Sequence, residues 1–153
     1  MSGTQDSRVA FTGNLLSAHA NGNRPRVLVV DDEAVIADTL AEILSLSGFP
    51  AIAAYDGNGA LGAALLQPPE MLITDVALPG MNGIDLAITV KRVYPDCKIL
   101  LFSGQAGTAD LLAGARRAGY RFTLLNKPVA PQELLATVAR NLNASAGMYA
   151  ADA

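Results

Sequence analysis

Short apolar runs alternate with longer segments of helical periodicity between residues 26 and 142 of this chain. The run at 26–30 is almost wholly apolar, which is typical of a strand covered on both faces in a parallel sheet. Similar or weaker runs occur at 50–54, 71–75, 98–102 and 121–125. This pattern predicts five strands.

The segments between these runs carry apolar residues three and four positions apart, which is the spacing of an amphipathic helix. In the first segment Val35, Ile36, Leu40 and Leu44 recur before Gly48, a residue type that commonly ends helices. We predict helices at 33–47, 58–67, 83–93, 108–118 and 131–141. The alternation indicates βαβ units in an α/β fold, and right-handed crossovers place helices on both faces of the sheet.

Length and composition fit one domain with two tails. The chain has 153 residues, of which 51% are hydrophobic, and this suffices for one sizeable core. We predict flexible tails at 1–25 and 143–153 around a domain at 26–142. No apolar run approaches the ~18 residues that span a bilayer, and the first residues do not resemble a signal peptide. We therefore expect a cytoplasmic protein without a membrane partner.

The composition excludes several kinds of site. The single cysteine, Cys97, leaves no disulfide within the chain and no cysteine-based metal cluster. The single histidine, His19, excludes a metal site with several histidine ligands and argues against histidine-based catalysis. The 11 basic and 14 acidic residues give a net charge of −3, which argues against nucleic acid as the main partner.

Five polar residues follow the predicted strands, at the edge beyond which the working groups of parallel sheets gather. They are Asp31, Asp32, Asp75, Ser103 and Lys127. Neighbouring carboxylates repel each other unless a cation is present, and Mg²⁺ suits this site because it shares its carboxylate ligands with phosphate oxygens. A lysine suits a phosphoryl group, and an aspartate can act as the nucleophile toward phosphorus. The set indicates Mg²⁺-dependent phosphoryl transfer.

The order of these residues resembles that of the response-regulator receiver domains of the CheY-like type. The resemblance extends over about residues 26–142 and is carried by Val30-Asp31-Asp32-Glu33, Thr74-Asp75 with Pro79-Gly80-Met81-Asn82-Gly83, Phe102-Ser103-Gly104 and Lys127-Pro128. It implies a flavodoxin-like fold, a (βα)5 doubly wound five-stranded parallel sheet with strand order 2-1-3-4-5. In this family the Lys-Pro bond is usually cis.

The resemblance also implies roles for individual residues. Asp75 is the implied phosphoacceptor, and Ser103 and Lys127 would hold the phosphoryl oxygens. The implied Mg²⁺ ligands are Asp31 (mainly through bound water), Asp32, Asp75 and the backbone carbonyl of Ala77. The phosphoryl donor would be a phosphohistidine on a sensor histidine kinase or a histidine phosphotransfer protein. We expect a stand-alone receiver that catalyses only its own phosphorylation and dephosphorylation and thereby switches its affinity for a partner protein.

The chain departs from the family at the switch residue. The position three residues before the lysine, usually aromatic, is Leu124, and the segment 119–127 is one residue longer than usual. Tyr120 and Phe122 lie nearby but are offset. We therefore expect the signal to leave the site by a different side-chain path.

Three alternatives remain open at this point. The first is a receiver-like binding module that acts without phosphorylation. The second is a dinucleotide-binding protein, because 57–62 reads G-x-G-x-x-G and Asp75 follows Gly57 by 18 residues (75 − 57), near the ~20 expected of a ribose-binding acid. A turn capped by Asp56 or Asn58 would explain that motif structurally, just as helix capping would explain Asp31 and Asp32. The third, a phosphatase, would want an acid at position 77.

Overall fold

The fold is described from a computed structural model. The structure describes residues 26–104 and 108–152, and it describes side chains as far as Leu142. The tail predicted at 1–25 therefore lies outside the described residues.

Within the described residues, five strands alternate with five helices. The strands are β1 (Val27–Val30), β2 (Ala51–Ala54), β3 (Met71–Asp75), β4 (Lys98–Ser103) and β5 (Thr123–Asn126). The helices are α1 (Ala34–Leu46), α2 (Gly57–Leu66), α3 (Gly83–Val93), α4 (Thr108–Arg117) and α5 (Pro131–Asp152).

The strands form one parallel sheet in the order β2-β1-β3-β4-β5, which confirms the predicted α/β fold. The central strand β3 pairs with a neighbour on each side, and all five of its residues are buried. Asp75, the last residue of β3, therefore lies in the middle of the edge formed by the carboxyl ends of the strands.

Both faces of the sheet are covered, because successive residues of a strand point to opposite sides. Leu28, Leu72 and Leu101 pack with α2, α3 and α4 in one core cluster. Val29, Ile73 and Leu100 pack with α1 and α5 in the other. These two apolar layers fix the strand ends from which the polar residues project. Among the described residues, none of the helices combines the length and hydropathy that a bilayer crossing requires.

Two predicted boundaries are wrong. The strand predicted at 121–125 begins instead at Thr123, where pairing with Leu100 of β4 starts, because an edge strand is defined by a single neighbour. The last helix continues to Asp152 rather than ending near 141. Four alanines between positions 144 and 151 favour this extension because alanine has the highest helix propensity.

Candidate functional site

Asp31 lies directly after β1 and is 1% exposed. Its Oδ1 accepts a hydrogen bond from the backbone N–H of Glu33 at 2.9 Å, and its own N–H donates to the carbonyl oxygen of Ala54. The N-cap residue of α1 is Glu33, without a side-chain capping bond. The alternative in which Asp31 and Asp32 merely cap this helix is therefore wrong.

Asp75 is the last residue of β3, and its carboxylate lies at the carboxyl edge of the sheet. Its Oδ1 accepts a hydrogen bond from the backbone N–H of Ala77 at 3.3 Å. The backbone behind it is tightly packed, since a Cβ added to Gly83 would lie 2.0 Å from the carbonyl oxygen of Asp75. Only glycine fits at this first residue of α3, and this packing fixes the position of the Asp75 backbone.

Lys127 follows β5 and connects the two buried acids. Its Nζ lies 3.0 Å from Oδ2 of Asp31 and 3.2 Å from Oδ2 of Asp75. Its backbone N–H donates to the carbonyl oxygen of Ser103 at 2.9 Å, and its bond to Pro128 is cis, as expected. Burial by itself lowers the pKa of Lys127, but the hydrogen bonds and charges of Asp31 and Asp75 outweigh it and raise the pKa above its usual value.

Three carboxylates come together at this edge. Asp31, Asp32 and Asp75 each offer an oxygen, and these oxygens lie within 4.8 Å of one another. Asp31 and Asp75 are buried, whereas Asp32 is exposed. Such a cluster of hard oxygen donors could hold a divalent metal ion, and the structure thus brings together the three predicted carboxylates and Lys127.

Ser103 ends β4 at the same edge, where Phe102 is the register partner of Asp75. Its buried hydroxyl is hydrogen-bonded to the hydroxyl of Thr108, the first residue of α4. The sequence analysis missed Thr108. No periodicity relates the end of a strand to a hydroxyl at the start of the following helix, so only the three-dimensional structure reveals this contact.

The glycine-rich motif at 57–62 has a structural explanation. Asp56 is the N-cap of α2, and its Oδ1 accepts a hydrogen bond from the N–H of Gly59 at 2.6 Å, which confirms the capping interpretation. A Cβ on Gly57 would lie 3.0 Å from Cβ of Met81, so this glycine permits close packing. Asp75, the acid that a dinucleotide site would use, is instead paired with Lys127.

The aromatic residues near the switch position lie before β5 rather than on it. The rings of Tyr120 and Phe122 stack with their centroids 6.0 Å apart. The hydroxyl oxygen of Tyr120 accepts a hydrogen bond from Nε of Arg92 at 3.4 Å. Leu124 is partly buried against the core that these rings also contact, so β5 presents an aliphatic residue where the family usually has an aromatic one.

Residues 27–139 match the family model described as the response regulator receiver domain. The chain belongs to this family. It is 35% identical over 119 residues to the DNA-binding response regulator MtrA of Mycobacterium tuberculosis, and the aligned region covers 78% of this chain and 51% of MtrA. It is 33% identical over 116 residues to the probable transcriptional regulatory protein TcrX of the same organism, and this alignment covers 76% of this chain and 49% of TcrX. The chain spans about half the length of the curated relatives it matches.

Two solved structures resemble this domain closely. The CheY-like receiver domain protein of Methanospirillum hungatei superposes with a TM-score of 0.74 at 25% identity, over 82% of this chain and 99% of that one. NtrX from Brucella abortus in complex with ATP superposes with a TM-score of 0.71 at 28% identity, over 85% of this chain and 29% of the NtrX chain. The predicted resemblance to CheY-like receivers is confirmed, and the domain is a receiver of two-component signalling. That it stands alone stays a prediction.

Proposed function

We propose that this domain accepts a phosphoryl group on Asp75 from a phosphohistidine of a sensor histidine kinase or a histidine phosphotransfer protein. The modification would then change the affinity of the domain for a partner protein. The position of Lys127 carries this proposal. Its Nζ lies within 3.2 Å of both Asp31 and Asp75, so the buried acceptor already has a cation beside it that can face an incoming phosphoryl oxygen.

Asp31, Asp32 and Asp75, together with the carbonyl oxygen of Ala77, would hold Mg²⁺. The three carboxylates carry more negative charge than Lys127 neutralises, and oxygen ligands are those that Mg²⁺ prefers. When bound, Mg²⁺ would neutralise charge on the phosphoryl oxygens.

The transfer itself is a substitution at phosphorus. An oxygen of the Asp75 carboxylate forms the new bond, the bond between phosphorus and the donor nitrogen breaks, and its electron pair leaves with the imidazole. Lys127 would supply a positive point charge and Ser103 a hydroxyl donor to the phosphoryl oxygens. The hydrogen bond between the N–H of Lys127 and the carbonyl of Ser103 keeps these two groups in a fixed relation.

The proposal includes a signalling role without turnover of a small molecule. The domain would catalyse only its own phosphorylation and dephosphorylation, in the cytoplasm. The net charge of −3 favours a protein over nucleic acid as the surface that the receiver itself contacts.

The experiment is intact mass spectrometry after incubation with Mg²⁺ and acetyl phosphate, on the wild type and on Asp75→Asn. We expect one added phosphoryl group on the wild type, none on Asp75→Asn, and none on the wild type when a chelator removes Mg²⁺. An equal adduct on Asp75→Asn would contradict the assignment of the acceptor. No adduct and no Mg²⁺ binding by the wild type would favour the binding module that acts without phosphorylation.

A further inference from the structure

A pair of buried hydroxyl groups connects the candidate site to α4. Ser103 is 5% exposed and Thr108 is 6% exposed, and their hydroxyls are hydrogen-bonded to each other. Ser103 ends β4, whereas Thr108 begins α4. The bond therefore joins the last residue of a central strand to the first turn of a surface helix.

Among the described residues of the first turn of α4, Thr108 is the one that is buried. Thr108 and Ala115 are the buried residues of this helix, and Ala115 lies in the core cluster seven residues further along. A change at the hydroxyl of Thr108 therefore acts on the first turn of α4, whereas the other buried residue of this helix, Ala115, lies near its opposite end.

Either hydroxyl of the Ser103–Thr108 pair can be the donor, so the bond depends on the orientation of the Ser103 side chain and not on one fixed proton position. A serine hydroxyl carries one proton and two lone pairs. If Ser103 turns to donate its proton to a phosphoryl oxygen on Asp75, the geometry of its hydrogen bond to Thr108 must change. In the present structure the Asp75 oxygens face Lys127 and the N–H of Ala77, and the Ser103 hydroxyl faces Thr108.

The usual aromatic residue is replaced by Leu124 on β5. The aliphatic side chain of Leu124 has no hydroxyl or ring edge that could interact with the Ser103 hydroxyl when that hydroxyl moves. The Ser103–Thr108 pair, by contrast, is a direct physical connection between the site and a helix.

We propose that Thr108 is a positioning residue for Ser103. It holds the Ser103 hydroxyl in the unphosphorylated domain and transmits the displacement of that hydroxyl to α4. This inference rests on the proposed function, because the displacement requires a phosphoryl group on Asp75.

The test compares Thr108→Val, which removes the hydroxyl and keeps the branched shape, with Thr108→Ser, which keeps the hydroxyl. Phosphorylation by acetyl phosphate with Mg²⁺ is followed by intact mass, and amide hydrogen exchange of 108–117 is measured before and after. We expect Thr108→Val to be phosphorylated about fivefold faster, the factor that one neutral hydrogen bond supplies. We also expect phosphorylation to change exchange in α4 of the wild type and Thr108→Ser but not of Thr108→Val.

A merely structural role would not speed phosphorylation, so the two readouts together identify the hydroxyl. Wild-type behaviour of Thr108→Val would overturn the inference. Equal changes in both variants would also overturn it, because Thr108→Ser keeps the hydroxyl and should behave like the wild type. Thr108→Ala provides a second variant without the hydroxyl if Thr108→Val does not fold. A wild type that takes no phosphoryl group would overturn the proposed function as well, and this outcome is visible before any variant is compared.

Discussion

Each edge of the sheet holds a titratable group, partly buried at one edge and fully buried at the other, and the surroundings of the two groups differ. Lys127, at the carboxyl edge, lies between two acids at 3.0 and 3.2 Å. Cys97 precedes β4 at the amino edge, is 2% exposed and packs in the apolar core. Burial opposes the charged form in both cases. The acids nevertheless raise the pKa of Lys127, whereas burial raises the pKa of the Cys97 thiol to about 11 against the weaker effect of Lys91.

This difference shows what distinguishes a candidate site from a core residue. Burial keeps Cys97 neutral, and a neutral thiol in an apolar setting is a poor nucleophile. At the carboxyl edge, the partly buried Lys127 lies beside Asp31 and Asp75, which raise its pKa and keep it charged. The chemistry available to Asp31 and Asp75 is then to exchange one cation, the ammonium group of Lys127, for another, such as Mg²⁺.

Removal of the cation at the carboxyl edge should have the largest effect. We expect Lys127→Met to lower the rate of phosphorylation by acetyl phosphate by about 100-fold or more, as is typical when one donor to developing charge is lost. Mg²⁺ should bind more tightly, because the ammonium group no longer competes for Asp31 and Asp75. Intact mass gives the rate, and calorimetric titration gives the affinity for Mg²⁺.

Lys91→Met is the matched control at the other edge. The Nζ of Lys91 donates to the carbonyl oxygens of Pro95 and Cys97, each at 2.7 Å, so its loss should leave phosphorylation unchanged. Weaker Mg²⁺ binding by Lys127→Met would contradict the view that the lysine and the metal share the same carboxylates.

The thiol at the amino edge should make stability depend on alkaline pH. The folded-state pKa of Cys97 is raised from 9.0 to about 11, so the folded protein retains a proton that the unfolded chain releases. This contribution is complete below pH 9 and is lost as pH rises toward 11. At 1.36 kcal/mol per pKa unit, the loss is about 3 kcal/mol. Urea unfolding between pH 8 and pH 11 measures it.

Cys97→Ala provides the comparison, because it removes the titrating group while the other alkaline groups remain. The variant should lose less stability over the same pH interval, even if its stability at pH 8 is lower through lost packing. Parallel pH profiles of variant and wild type would show that Cys97 contributes nothing and would weaken the contrast between the edges.

The sequence predicted the interior of the fold better than its margins. The strand at 71–75 and the helix at 83–93 coincide with β3 and α3, since all of β3 and one face of α3 are buried and therefore leave little choice of residue. In β5 two partly buried residues lie between two exposed ones, so the apolar pattern did not mark where pairing begins. The end of α5 was missed because local helix propensity, rather than apolar periodicity, continues it.

The candidate site was predictable to the extent that it depends on strand ends. Parallel strands bring their carboxyl ends to one edge, and this rule alone places Asp31, Asp75 and Lys127 together. The Ser103–Thr108 bond was not predictable, because it depends on how α4 is seated. The need for glycine at position 83 could not be predicted from the sequence either, since it arises from the short distance between α3 and the backbone of Asp75.

Two glycine substitutions should give the smallest effects and differ in sign. At the carboxyl edge, Gly83→Ala would place a Cβ 2.0 Å from the Asp75 carbonyl oxygen. We expect it to lower the free energy of unfolding by about 1–3 kcal/mol, as overpacking usually does. Away from the site, Gly62→Ala in α2 meets nothing within 4 Å and should raise it by about 0.5–1 kcal/mol, because alanine restricts the unfolded chain and favours helix.

Urea unfolding of both variants measures the two changes, and phosphorylation rates show whether the strain at Gly83 reaches the acceptor. Because the displaced backbone carries Asp75, Gly83→Ala should also slow phosphorylation, whereas Gly62→Ala should not. Slower phosphorylation with unchanged stability would mean that the domain accommodates the added methyl group by moving Asp75. Lower stability with an unchanged rate would mean that α3 moves instead and that the charged cluster keeps its geometry independently of the helix behind it.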